Sequence, residues 1–160
     1  MGDKIHRKGD FVMSSSNLTL LTDLYQLTMM QGYFKANNKN VAVFDAFYRN
    51  NPSDGGYAIF AGLQQVIEYI ENLHFDEDDI NYLRGLGIFD EDFLEYLSTF
   101  HFTGDIYAFP EGTVMFPREP MSKVIAPIME AQLIETAILN ITPDHLNRHH
   151  TMECYIETKE

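Results

Sequence analysis

A chain of 160 residues with 45% hydrophobic and 13% aromatic side chains is the size of one domain and has enough apolar content for a packed core, which excludes global disorder. Twenty-four acidic against eleven basic residues leave a formal net charge of -13, a field that repels nucleic-acid backbones and anionic headgroups and makes any phosphate site depend on local cations and backbone amides. The single cysteine, Cys154, excludes an intrachain disulfide, and no apolar run reaches the roughly 18 residues of a membrane span, so a cytoplasmic protein without a membrane partner is expected.

Residues 1–19 read as a flexible extension. Met1 to Asp10 carries basic residues with no apolar run behind them, unlike a secretory signal, and Met13 before Ser14, Ser15 and Ser16 reads as an alternative start. The segment from Leu21 to Tyr33 then predicts a helix. Asp23 is placed to cap its first turn, Gln26 three residues later completes a capping-box pattern, and Leu24, Leu27 and Met30 or Gln31 recur at helical spacing. Tyr25 falls off that stripe, near the helix start, where its ring is free to stack on something outside this domain's core. On spacing alone, a capped core helix with a surface tyrosine explains the pattern.

Val41 to Tyr48 reads as a strand with apolar residues on both faces, central in its sheet, and Asn50 to Gly56 as a turn before a strand at Tyr57. Gly55-Gly56 lacks both the lysine of a phosphate-binding loop and the three-glycine dinucleotide fingerprint. Leu63, Val66, Ile67, Ile70 and Leu73 define the inward stripe of a second helix. Two shorter helices follow, one capped by Asp76 with Ile80, Leu83 and Leu86 inward, the other capped by Asp90 with Phe93, Leu94 and Leu97 inward. The acidic run from Asp76 to Asp79 fits a first helical turn and lacks calcium-loop spacing, and His149 and His150 are adjacent rather than at ligand spacing, so no metal site is assigned. Short strands are expected at Asp105 to Phe109, Thr113 to Phe116 and Lys123 to Ile125, as a compact antiparallel patch, before a final helix from about Ile128 to Asn140.

Several of these segments carry a resemblance in their order. Leu21 to Tyr33, Val41 to Arg49, Gly55 to Leu63, Phe102 to Ala108, Pro110 to Thr113 and Glu130 to Asn140 together resemble the N-terminal region of nicotinate phosphoribosyltransferase, from about Leu20 to Ile141. The resemblance implies an α+β fold, the N-terminal domain of a type II phosphoribosyltransferase with helices packed on a mostly antiparallel sheet, without the irregular α/β barrel. It implies the first step of nicotinate salvage toward NAD: nicotinate and phosphoribosyl diphosphate give nicotinate mononucleotide and diphosphate, with ATP hydrolysis coupled and Mg2+ on the phosphates. It also implies a homodimer in which this domain covers the barrel of the other subunit.

On that resemblance Tyr25 matches the tyrosine that stacks on the pyridine ring, Asp23 the acid beside it, and Arg49 an arginine that reaches phosphate across the interface, a role suited to a planar fork of donors. Read without it, Arg49 is a solvated or salt-bridged arginine. No catalytic residue is assigned within the chain itself.

The resemblance stops at Ile141. Thr142 to Glu160 is polar, has Pro143 just past the helix and shows no apolar periodicity. Shifted one base, codons for Thr142 to His149 can read His-Gln-Thr-Ile-Leu-Ile-Ala-Thr, close to the family's continuation into the barrel, so the tail is expected to be a frameshift product and the fragment inactive alone. A non-catalytic interaction or regulatory fragment that pairs with an intact homologue is the alternative. A swinging-arm carrier is disfavoured, since Pro110-Glu111-Gly112 offers no modifiable lysine.

Overall fold

The computed structural model of the protein describes residues 17–50 and 56–142, together with the backbone of 150–155. Within them the order is α1 (Leu24–Lys35), β1 (Val41–Tyr48), β2 (Ala58–Ile59), α2 (Leu63–Glu71), α3 (Glu77–Gly85), α4 (Glu91–Ser98), β3 (Asp105–Ala108), β4 (Val114–Met115), β5 (Ser122–Pro127), α5 (Ile128–Ile141) and β6 (His150–Tyr155). Residues 1–16 of the expected extension and most of the turn after Asn50 lie outside the described residues; Asn17 to Thr19, expected as part of the flexible extension, are instead held in place, with Thr19 buried and its hydroxyl donating to the His74 carbonyl at 2.6 Å.

The four-stranded sheet runs β3-β5-β1-β6 and a two-stranded sheet pairs β2 with β4, all described pairings being antiparallel, in keeping with the expected α+β class. β1 is central, as its apolar content predicts, but its faces are unequal. Ala42, Phe44, Ala46 and Tyr48 are buried, while Val43, Asp45 and Phe47 are only partly covered. The register sets Phe44 opposite Val124 and Ala42 opposite Ala126, so the buried faces of β1 and β5 coincide beneath α5.

The three strands after Gly104 do not form a patch of their own. β3 and β5 extend the main sheet because the inward face of β5 matches that of β1, and β4 pairs with β2 instead. A second difference lies in the tail, where β6 pairs with β1 from Tyr155 opposite Val43 to His150 opposite Tyr48. An open strand edge offers a row of unpaired N–H and C=O groups, and pairing there needs no apolar periodicity in the incoming segment.

The helices bury the residues their spacing predicts, with three exceptions. α1 packs through Gln26, Leu27 and Met30, with Tyr33 and Phe34 partly covered, which rotates Leu24 out to 51% exposure. α2 turns Tyr69 inward with Val66 and Leu73, and leaves Ile67 at the surface. Leu86, just past the end of α3, is exposed too. Phe93 of α4 is fully buried beside Phe34 and Phe89, with ring centroids 5.7 and 5.8 Å away, and this aromatic contact pins α4 to α1. A smaller core gathers Tyr48, Ala58, Phe60, Met115 and Met121, with Leu63 against it, at the far end of β1.

Candidate functional site

Asp23 stands at the N-cap of α1 in extended conformation, yet its side chain makes no capping bond. The expected capping box with Gln26 does not form, because α5 competes for both side chains. Thr136 Oγ1 donates to Asp23 Oδ2 at 3.4 Å, and Gln26 is drawn fully inside the α1/α5 interface. A capping box does form at α3: Asp76 accepts from the Asp79 N–H at 2.9 Å, Asp79 accepts from the Asp76 N–H at 3.1 Å, and the Asn17 amide donates to both carboxylates without displacing either bond. Asp90 also occupies an N-cap position without capping; its carboxylate pairs with Lys35 at 2.5 Å.

Tyr25 projects from the first turn of α1 with about half its surface exposed. Its phenol oxygen accepts from Gln26 Nε2 at 2.9 Å, and the same amide donates to Glu135 Oε2 at 3.0 Å. Gln132 donates to Gln26 Oε1 and, at 3.2 Å, to Glu135 Oε2. Desolvation raises the Tyr25 pKa above its ordinary value, the negative fields of Glu135 and Asp23 raise it further, and the Gln26 hydrogen bond opposes them. A half-exposed aromatic ring flanked by two carboxylates suits a flat ligand that carries or develops positive charge.

Arg49 is exposed and lies on a different element, directly after β1. Its root is held firmly: the Tyr48 hydroxyl donates to the Met115 carbonyl at 2.6 Å, and the Arg118 N–H donates to the Tyr48 carbonyl at 2.8 Å. Among the described residues no hydrogen bond or ion pair joins Arg49 to Asp23 or Tyr25. A chain of contacts nevertheless connects the two places. Tyr48 shares the small core with Phe60 and Leu63, Gly62 abuts Ile141 and Thr142 at the end of α5, Thr136 of α5 donates to Asp23, and Gln26 links Tyr25 to Glu135.

The chain read by spacing did not reveal Gln132, Glu135 and Thr136 as part of this cluster, although polar side chains at i, i+3 and i+4 in an otherwise apolar helix were a visible signal. Arg118 was also missed, since only the fold brings its backbone against Tyr48 and so beside Arg49. Among the described residues no group of three His, Cys, Asp or Glu side chains could hold a metal ion, so Mg2+ finds no such ligand set there; Asp76 and Asp79 are occupied in capping α3. No described helix is long and apolar enough to cross a membrane.

These helices on an antiparallel sheet form the fold of a phosphoribosyltransferase N-terminal domain. The solved structure of human nicotinic acid phosphoribosyltransferase matches it with a TM-score of 0.69 at 32% identity, over 76% of this chain and 25% of that one. Residues 20–142 match the family model of the nicotinate phosphoribosyltransferase (NAPRTase) N-terminal domain, and the chain belongs to that family. It is 51% identical over 121 residues to a nicotinate phosphoribosyltransferase of Mycobacterium tuberculosis, covering 76% of this chain and 26% of that protein. Against the Bacillus subtilis nicotinate phosphoribosyltransferase it is 44% identical over 133 residues, 82% of this chain and 27% of that one. The chain thus spans about a quarter of the length of the curated relatives it matches.

Proposed function

We propose that this chain supplies the substrate-covering N-terminal domain for phosphoribosyl transfer to nicotinate, in NAD salvage, with Tyr25 as the platform for the pyridine ring, Asp23 beside it and Arg49 directed at phosphate. The observation that carries this reading is the half-exposed Tyr25 ring, held by Gln26 and flanked by Asp23 and Glu135. When the ring nitrogen is ribosylated it becomes a pyridinium, and the field of the two carboxylates favours that positive charge as it develops. The same field repels the carboxylate of nicotinate, which therefore points away from this cluster, toward the rest of the enzyme. Arg49 is suited to a bidentate hold on a phosphate, and its backbone follows directly on a paired central strand.

In this reading the barrel supplies the reacting machinery, ATP and Mg2+ bind in the complete enzyme, and the complete enzyme is a cytoplasmic homodimer with the domain of one subunit over the barrel of the other. The 160 residues assayed by themselves should show no turnover. Support for that comes from the match to a single domain, which covers 26% of the Mycobacterium tuberculosis relative.

The test is a chimera in which residues 20–142 replace the corresponding domain of the Mycobacterium tuberculosis relative, assayed for nicotinate mononucleotide from nicotinate, phosphoribosyl diphosphate, ATP and Mg2+. An active chimera whose nicotinate KM rises at least tenfold with Tyr25→Ala, and whose phosphoribosyl diphosphate KM rises with Arg49→Ala, supports the reading. An active chimera indifferent to both substitutions overturns the site assignment.

A further inference from the structure

We propose that Gln26, Gln132 and Glu135 act together as positioning residues that lock the Tyr25 ring in one orientation at the mouth of the α1/α5 interface. The proposal rests on the reading of Tyr25 as a stacking platform and adds three residues that do not themselves touch the ligand.

The two glutamines are out of place as packing elements. Gln26 is fully buried and Gln132 nearly so, where α1 otherwise buries Leu27 and Met30 and α5 buries Leu133, Ile134, Ala137 and Ile138. Apolar side chains of similar shape would join two helices about as well, because a buried hydrogen-bonded pair contributes little net stability over water. What the amides supply is direction. Gln132 fixes the carbonyl end of Gln26, so the Gln26 nitrogen points toward Glu135 and the Tyr25 phenol, with the Thr136 hydroxyl a more distant acceptor at 3.5 Å. Glu135 accepts from both glutamines and so closes the network on a charged acceptor.

The consequence falls on Tyr25. A half-exposed tyrosine in the first turn of a helix would ordinarily sample more than one rotamer, whereas a phenol held at 2.9 Å by a buried amide is confined to one. A ring fixed before the ligand arrives loses less freedom on binding, so the network raises affinity for a flat ligand without contacting it.

The experiment is 13C relaxation of the ring carbons in the 160-residue chain labelled at tyrosine, with the Tyr25 signals assigned by Tyr25→Phe. No substrate is needed, so the result stands apart from the chimera assay: a chimera indifferent to Tyr25→Ala removes the stacking role and leaves the ring order to be judged by itself. In the native chain the ring is expected to be as rigid as ordered backbone, with an order parameter of about 0.85. The double variant Gln26→Met with Gln132→Met should keep the fold and lower that value below about 0.6. Glu135→Ala should loosen the ring in the same direction. Glu135→Gln keeps an acceptor oxygen, so it should hold the ring rigid while moving the phenol titration down, since one of the two negative neighbours is gone. That split between Ala and Gln is one that a purely structural role for Glu135 would not produce. A Tyr25 ring that is mobile in the native chain, or that stays rigid in Glu135→Ala, overturns the proposal, and this single variant decides it even if the double variant fails to fold.

Discussion

Glu111 caps a helix whose N-cap, Gly62, lies 49 residues before it in the chain. Its Oε1 accepts from the Gly62 N–H at 2.8 Å and from the Gln64 N–H at 3.2 Å, at the start of α2. The N-cap of α2 is Gly62 itself, with φ at 96°, so the helix has no capping side chain of its own. A carboxylate borrowed from the Pro110-Glu111-Gly112 turn satisfies orphan donors and meets the positive end of the helix dipole. Glu111→Ala should cost about 1 kcal/mol, the usual loss for an N-cap, and lower Tm by about 2–4 °C. Glu111→Gln keeps an acceptor oxygen and should lose less, and thermal unfolding of the two variants side by side checks the order.

Gly104 immediately precedes β3 and leaves no room for a side chain. A Cβ there would stand 2.4 Å from the Ala126 Cβ and 2.8 Å from the Ile125 carbonyl oxygen, both on the neighbouring strand β5. The strands cannot keep their pairing and admit that atom, so Gly104→Ala should destabilise by about 1–3 kcal/mol, the range for overpacking a fitted interior. Loss of amide exchange protection in Ile125 and Ala126 before the rest of the sheet would locate the damage; unchanged protection would show that the contact relaxes freely.

Tyr69 presents a buried hydroxyl with no hydrogen-bond partner among the described residues, and burial pushes its pKa well above the ordinary tyrosine value of 10.0. Because the folded chain holds this proton more tightly than the unfolded one, the contribution is fully present below pH about 10 and is lost as pH rises toward the higher folded value. Tyr69→Phe removes an unsatisfied oxygen and keeps the ring. It should leave stability at pH 7 unchanged or raise it by up to about 1 kcal/mol, and flatten the decline above pH 10. Urea unfolding at pH 7 and pH 10.5 tests both halves, and a substantial loss at pH 7 would reveal a partner for the hydroxyl.

Local signals carried most of the secondary structure into view, because Leu83, Phe93, Leu97, Leu133 and Ile138 recur at helical spacing and are all buried in the core. What spacing could not show was competition between elements. Asp23 and Asp76 look alike as N-caps in sequence, yet only Asp76 caps, since Thr136 and the α5 interface intervene at the other. Gln26 reads as a capping partner and is instead the centre of an interhelical network, and the outward turn of Leu24 follows from the same packing. The strand β6 was hidden for a different reason: its pairing rests on the free edge of β1, a property of the partner strand and not of the tail's own pattern. Tyr25 and Arg49 became site candidates through resemblance, Tyr25 also through its place off the apolar stripe, whereas Arg118 depended on a backbone contact 70 residues apart in sequence, between Arg118 and Tyr48.

Arg118 combines exposure with a left-handed backbone, φ 68°, that non-glycine residues adopt at a cost, and its N–H ties the turn to the end of β1 beside Arg49. In a chain with a formal net charge of -13, Arg49 and Arg118 stand on adjoining backbone at this end of β1, with Glu119 close enough to act on Tyr48. Substituting glycine separates the two features. Arg118→Gly removes the strained conformation, so stability should hold or rise by up to about 1 kcal/mol, while the chimeric enzyme should show a phosphoribosyl diphosphate KM several-fold higher. Arg118→Lys keeps charge and strain and should recover part of the KM. Equal KM values in all three chains would confine Arg118 to the turn.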